Sequence, residues 1–341
     1  MNGISDTLRT SVIEYCSTIG TDPLLVQGAG GNVSWKEEDT LWVKASGTWL
    51  AESAEKDIFV PVDLPHLRTA IETGDFSVTP RLRGESALRP SIETLLHALM
   101  PHRVVVHLHA IEVLAHLVRI NCHTDFLLRL DPSIHWAMVD YHKPGPALAS
   151  AVSTALTQNP NVEVVFLRKH GVVIGGADIA EVSQMLDRLT AALATVPVGI
   201  YDPPQPSLTE SSHRDQYILA EGANVQQLAL NAELFNRLGS QWALYPDHVV
   251  FLGAKAYAYT TWEAFGDEYD GNQELPELVF ILANGVFVKP SFNKAKFAQL
   301  RCYYDVLARQ NPSLPVEGLT SAQIAELLNW DAEQYRMNLS K

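Results

Sequence analysis

Four side chains in this sequence have the types and spacing to hold a metal ion and move protons beside it. His107 and His109 lie two apart at the end of the apolar run Val104-Val105-Val106. On an extended strand, side chains at i and i+2 share one face, so both imidazoles can reach one ion. Imidazole suits zinc and neighbouring first-row metals. The pair alone leaves two readings level: a metal site, or two ordinary surface or core histidines. His170 sits next to Gly171 between two apolar runs, where a polar residue needs a reason. As a third ligand it would complete a face with open positions for water or substrate, which is a catalytic arrangement. Glu93 opens a helix ahead of the His107 strand. Free N–H groups and the helix dipole favour an anion there. It reads either as a first-turn capping acid or as a metal ligand or general base. His97, four residues on, reads as support for the site, since a further ligand is not required.

Two glycine-containing loops and a serine could receive an anion. Gly28-Ala29-Gly30-Gly31-Asn32-Val33-Ser34 lets backbone N–H groups approach a ligand closely. It has neither GxxxxGK[ST] nor GxGxxG, and a strand follows it, which argues against a nucleotide-binding loop. Lys44-Ala45-Ser46-Gly47-Thr48 is a second small polar loop, and Ser91 adds a hydroxyl. Together they suit one phosphate or carboxylate; each alone is as well explained by a turn.

The elements that must position these groups follow from periodicity and breakers. The pattern predicts helices over 7–20 and 64–73, one starting near Ser91, and others over 110–118, 146–157 and 178–194. It predicts a hairpin of 32–36 and 41–45, then strands at 57–61, 104–109, 136–141, 162–167 and 172–174. Residues 75–90 read as a loop. Three prolines in 201–207 mark a linker, which separates domains 1–200 and 201–341. In the second domain, strands are expected near 248–252, 257–261 and 278–288, with a helix at 293–309.

The chain has 341 residues, 47% hydrophobic and 19% charged, a globular composition long enough for two domains. Its formal net charge of -14 argues against nucleic acid as a main partner. The three cysteines, Cys16, Cys122 and Cys302, are widely spaced and form no CxxC pair, which suits a reduced, cytoplasmic setting. The first residues carry no basic-then-apolar pattern, so no secretory signal is expected. No apolar run reaches the ~20 residues of a membrane span.

In chain order, these motifs resemble the class II aldolase/adducin family over roughly residues 5–200. The resemblance is carried by Gly30-Gly31-Asn32-Val33-Ser34, Lys44-Ala45-Ser46-Gly47, Ser91-Ile92-Glu93, Val106-His107-Leu108-His109-Ala110 and Lys169-His170-Gly171. Residues 90–99 and Pro101-His102 look like the aldolase half of bifunctional aldolase/short-chain-dehydrogenase proteins, and no dehydrogenase half is expected in this sequence. The resemblance implies a three-layer α/β/α fold with a central, mainly antiparallel sheet, followed here by a smaller C-terminal α/β extension of unassigned role. It implies a divalent metal on His107, His109 and His170, zinc first, with manganese or cobalt as alternatives. It implies that Glu93 is base or displaced ligand, and that Gly31, Asn32, Ser46, Gly47 and Ser91 hold a substrate phosphate. It also implies a homo-oligomer, commonly a tetramer, in which a tyrosine from a neighbouring subunit donates a proton; Tyr141 falls at the comparable place. Ala29 and Ile92 depart from the pattern, because hydroxyl residues stand there in some phosphate-binding members. Lys44 or Arg89 could compensate, or the substrate could carry a carboxylate.

The activity implied is a metal-dependent lyase: an aldolase that cleaves a phosphorylated ketose or sugar acid through a metal-stabilised enediolate. Epimerisation, decarboxylation and dehydration use the same stabilisation. A non-catalytic, adducin-like scaffold is the alternative from another class, but a scaffold would be expected to lose ligands that this sequence keeps.

Overall fold

The structure is a computed structural model that describes residues 2–198, 214–269 and 274–328. The linker expected at 201–207 lies outside the described residues. Two units emerge, residues 2–194 and Thr195–Leu328.

In the first unit the elements are α1 (Asn2–Gly20), β1 (Asn32–Glu37), β2 (Thr40–Lys44), β3 (Phe59–Asp63), α2 (Leu64–Glu72), α3 (Thr94–Leu99), β4 (Val104–Leu108), α4 (Ile111–Leu117), α5 (Cys122–Arg129), β5 (Trp136–Val139), α6 (Pro146–Gln158), β6 (Val164–Leu167), β7 (Gly171–Gly176) and α7 (Ile179–Ala192). The strands form one seven-stranded sheet in the order β3-β2-β1-β4-β7-β6-β5. Only β5 and β6 run parallel; every other neighbouring pair is antiparallel.

Alternation along the central strands separates two cores, as period 2 requires. Val33, Trp35, Val104, Val106, Val172 and Ile174 join Val12, Cys16 and Ile19 of α1 and Val182, Leu186 and Leu189 of α7. On the opposite face, Val105, Val165 and Val173 pack with Leu96 of α3 and Leu148 and Val152 of α6. This is the three-layer arrangement expected, with a mainly antiparallel sheet in the middle. Helix α2 starts where Asp63 accepts a hydrogen bond from the His66 N–H at 3.1 Å, with proline in the first turn.

The second unit holds β8 (Ile218–Leu219), α8 (Ala223–Leu230), α9 (Ala232–Arg237), α10 (Pro246–Leu252), β9 (Ala258–Tyr259), α11 (Trp262–Glu268), β10 (Leu278–Ile281), β11 (Gly285–Val288), α12 (Lys294–Ala308) and α13 (Ser321–Leu328). Its strands form a smaller sheet in the order β8-β11-β10-β9. Two expectations are corrected here. Residues 248–252 are helix, not strand: Pro246 opens α10, and all of Pro246–Leu252 is buried, so no polar face marks the helical period. The single strand expected at 278–288 is a hairpin, turned by Ala283 and Gly285 with φ of 58° and 132°. Helix α5 is an element that the periodicity did not mark. Among the described residues, no helix is long and apolar enough to cross a membrane.

Candidate metal centre

The sheet brings chain-distant segments to one end. The C-terminal ends of β4, β5 and β6 and the N-terminal ends of β1 and β7 meet there. His107 is the penultimate residue of β4, directly opposite Asn32 of β1 and Val173 of β7. His109 lies just past the strand. His170 lies in the three-residue turn between β6 and β7, where Leu167 pairs with Gly171. The His170 N–H donates to Leu167 O at 3.0 Å, and Lys169 adopts φ 56° to make the turn. Gly171 is required by contact: a Cβ there would sit 2.4 Å from Leu108 O and 3.0 Å from the His109 ring.

The three imidazoles are buried and converge. Their ring centroids are 4.9–5.1 Å apart, and each offers a ligand atom within 4.8 Å of the others. His107 Nδ1 lies 3.1 Å from the Val172 carbonyl. That contact assigns the proton to Nδ1 and leaves the Nε2 lone pair for a ligand. His107 Nε2 makes no hydrogen bond and lies 3.5 Å from Glu93 Oε2, while His170 Nε2 is 3.2 Å from Glu93 Oε1.

Glu93 is the N-cap residue of α3, yet its side chain makes no cap hydrogen bond. The capping alternative therefore gives way to the site: the carboxylate turns from the helix end to the histidines. The local turn is made instead by Ser91, whose Oγ accepts from the Glu93 N–H at 3.2 Å and whose carbonyl accepts from the Thr94 N–H at 3.1 Å. Helix α3 consequently begins at Thr94, three residues later than the expected start near Ser91. Burial alone would push the Glu93 carboxyl up, but the adjacent His107 and His170 rings hold it well below the usual carboxylate range. Burial pushes His107 down to about 3, against the pull of Glu93. It therefore stands as a neutral imidazole at neutral pH, the form that binds metal.

These residues fit a divalent ion. Three buried nitrogen donors face one point, one of them has its tautomer set by a carbonyl, and a carboxylate stands beside them. Left without a cation, a buried carboxylate carries a desolvation cost of several kcal/mol.

The expected anion-binding residues are drawn together by backbone and by one lysine. Lys44 Nζ donates to Ala29 O at 3.1 Å and to Thr48 O at 2.7 Å, tying the two loops to each other. The Ser46 N–H donates to Arg89 O at 2.9 Å, and Ala45 bridges Pro90, which brings in the segment that carries Ser91. Gly31 and Gly47 take φ of 68° and 77°. A Cβ on Gly31 would meet His107 O at 3.1 Å, so this glycine lets the loop lie against β4. Asn32 also ties into the site itself: its Nδ2 donates to Glu93 Oε2 at 2.8 Å. That role was missed in the sequence. The signal was there in the alternation of polar Asn32, Ser34 and Lys36 along a strand. Tyr141 follows β5, the edge strand, three places from β4 in the sheet order. Asp247 and His248 lie in α10 of the second unit, where Gln299 Nε2 donates to Asp247 at 3.2 Å.

Comparisons with known proteins identify the family. The family model for the Class II Aldolase and Adducin N-terminal domain matches residues 10–196. The chain belongs to the class II aldolase/adducin family. An uncharacterized oxidoreductase, YuxG of Bacillus subtilis strain 168, is 29% identical over 177 residues, which are 46% of this chain and 25% of that protein. The match therefore spans about a quarter of that relative's length. Among solved structures, the N-terminal class II aldolase domain of a conserved protein from Thermoplasma acidophilum is 26% identical. It aligns over 54% of this chain and 90% of that one, with a TM-score of 0.46. A sugar-phosphate aldolase from Thermotoga maritima is 18% identical over 56% of this chain and 93% of that one, with a TM-score of 0.42.

Proposed function

We propose that this chain is a metal-dependent lyase that cleaves a carbon–carbon bond in a ketose or sugar-acid substrate, most simply one bearing a phosphate. The observation that carries this reading is Glu93, a buried carboxylate aimed at three converging histidines within an aldolase-family domain. His107, His109 and His170 would hold the ion, zinc first. When bound, it supplies Lewis acidity that stabilises negative charge developing on substrate oxygen.

The rest of the chemistry belongs to the chain. Retro-aldol cleavage removes a proton from the hydroxyl that becomes the aldehyde and adds one to carbon of the other fragment. Written in the condensation direction, which cleavage retraces in reverse, Glu93 as a carboxylate takes the carbon-bound proton of the fragment at the histidines. Tyr141 is assigned to the other proton. The family resemblance puts this tyrosine at the site of a neighbouring copy. The loops at Gly31, Ser46, Gly47 and Ser91 are assigned to the substrate anion, with the Ser46 and Ser91 hydroxyls as donors in place of those absent at Ala29 and Ile92.

The test is aldehyde release from a panel of ketose phosphates and unphosphorylated sugar acids, with chelated, zinc-loaded and Glu93→Gln protein. Cleavage that disappears on chelation, returns with metal and is lost in Glu93→Gln is the expected result. Cleavage by none of the panel, or cleavage indifferent to metal, would sink the reading.

A further inference from the structure

The inner face of β1 is polar beside apolar Leu41 and Val43 of β2 and Val105 of β4, with His107 opposite Asn32. Val33 and Trp35 point into the hydrophobic core on one side of the sheet. Asn32, Ser34 and Lys36 point to the other side, where α3 lies, and all three are buried. Each meets a different level of α3. Asn32 Nδ2 donates to Glu93 Oε2 at 2.8 Å, at the N-cap. Ser34 Oγ is 2.8 Å from His97 Nδ1, in the middle. Lys36 Nζ donates to the carbonyls of Met100, the C-cap residue, and of His102 just beyond it.

The spacing explains why three rungs can form at once. Two residues advance a strand by about 6.7 Å, and four residues advance a helix by about 6 Å. Alternate residues of β1 therefore keep pace with successive turns of α3. Sliding α3 by one residue would break every rung and leave buried polar groups unpaired. Apolar contacts such as Leu96 against Val105 have no such directional requirement.

We propose that this polar ladder is a register device that sets the position of Glu93 at the histidines, with Ser34 and His97 as positioning residues that act through it. The inference rests on the reading that Glu93 works beside a metal. It assigns a function to a buried pair, Ser34–His97, that has no part in proton transfer.

The test uses Co2+ as the probe, because its d–d absorption reports coordination geometry. Full-length wild type, Ser34→Ala and Ser34→Thr are titrated with Co2+ against a competing chelator, each also in a Glu93→Gln background. Ser34→Ala should weaken Co2+ binding about 10-fold and shift the absorption bands, and Ser34→Thr, which keeps the hydroxyl, should recover most of both. In Glu93→Gln, adding Ser34→Ala should change affinity less than about 2-fold, because the path through the carboxylate is already cut. An equal loss in both backgrounds, or no loss with the fold intact, overturns the proposal. If Ser34→Ala fails to fold, His97→Gln is used in the same cycle. If wild type takes up no Co2+, the metal reading itself fails. The ladder is then judged by a crystal structure of Ser34→Ala: displacement of Glu93 Oε1 from its place 3.2 Å from His170 Nε2 supports it, and an unmoved carboxylate overturns it.

Discussion

The chain buries histidines in both of its units, and to similar depth, but among the described residues one set makes a candidate site. His107 and His248 are each fully buried, and burial pushes both down to about 3. Around His107 stand two more imidazoles and a carboxylate. Around His248 stand rings: Trp242 at 4.2 Å, Tyr303 at 4.4 Å and Tyr245 at 5.4 Å between centroids. Its Nδ1 accepts from the Leu244 N–H at 3.4 Å. The two environments share a shifted basicity and differ in convergence. A depressed histidine pKa reports burial; several donors aimed at one point, with a carboxylate beside them, report a site.

That contrast can be broken most forcefully by ligand deletion. His107→Ala and His170→Ala should each weaken zinc binding by at least about 100-fold in a chelator competition, while His248→Phe should leave it within about 2-fold. Equal losses would mean that metal binding tracks general stability. Next in size is the contact that seats His109. Gly171→Ala places a Cβ against Leu108 O and should lower unfolding free energy by roughly 1–3 kcal/mol in urea, with a parallel loss of zinc affinity. An intact affinity would show that the turn can give way without moving the ligands.

Acid should sharpen the contrast further. Between the ordinary histidine pKa of 6.5 and about 3, the unfolded chain binds a proton at His248 that the folded chain does not. Stability therefore falls as pH drops through that window, by up to about 1.4 kcal/mol per pH unit from this group. Urea titrations of His248→Phe from pH 7 to 4 should show a shallower decline than wild type. The smallest effect expected is local: added zinc should slow amide exchange at 107–109 and 168–171 and leave 245–250 unchanged.

How much of this was legible in the sequence depended on whether a signal was local. The His107–His109 pair needs only the period of a strand, and the glycine loops and the Lys169-His170-Gly171 turn carry their own chemistry. The three-layer fold followed from motif order, and the sheet has the expected mainly antiparallel pattern. Glu93 was placed at a helix start, but which way its carboxylate turns depends on β1 lying beside α3. Sequence separations of 61 and 63 residues hide the Asn32–Glu93 and Ser34–His97 contacts. Helix α10 was read as a strand because Val249, Val250 and Phe251 are apolar and β-favouring, and complete burial removes the polar face that would have shown a helix. For the second unit, no motif pointed to a role, and its buried Asp247 and His248 are held by Gln299 and by aromatic rings.

His107, His109 and His170 should together hold one metal ion. Elemental analysis of purified full-length protein, native and after zinc supplementation and desalting, tests it most directly, with a His107→Ala, His109→Ala double variant beside it. About one divalent ion per chain is expected in the supplemented wild type and essentially none in the folded double variant. Wild type without bound metal under both conditions, or a double variant that retains the same stoichiometry, would contradict it.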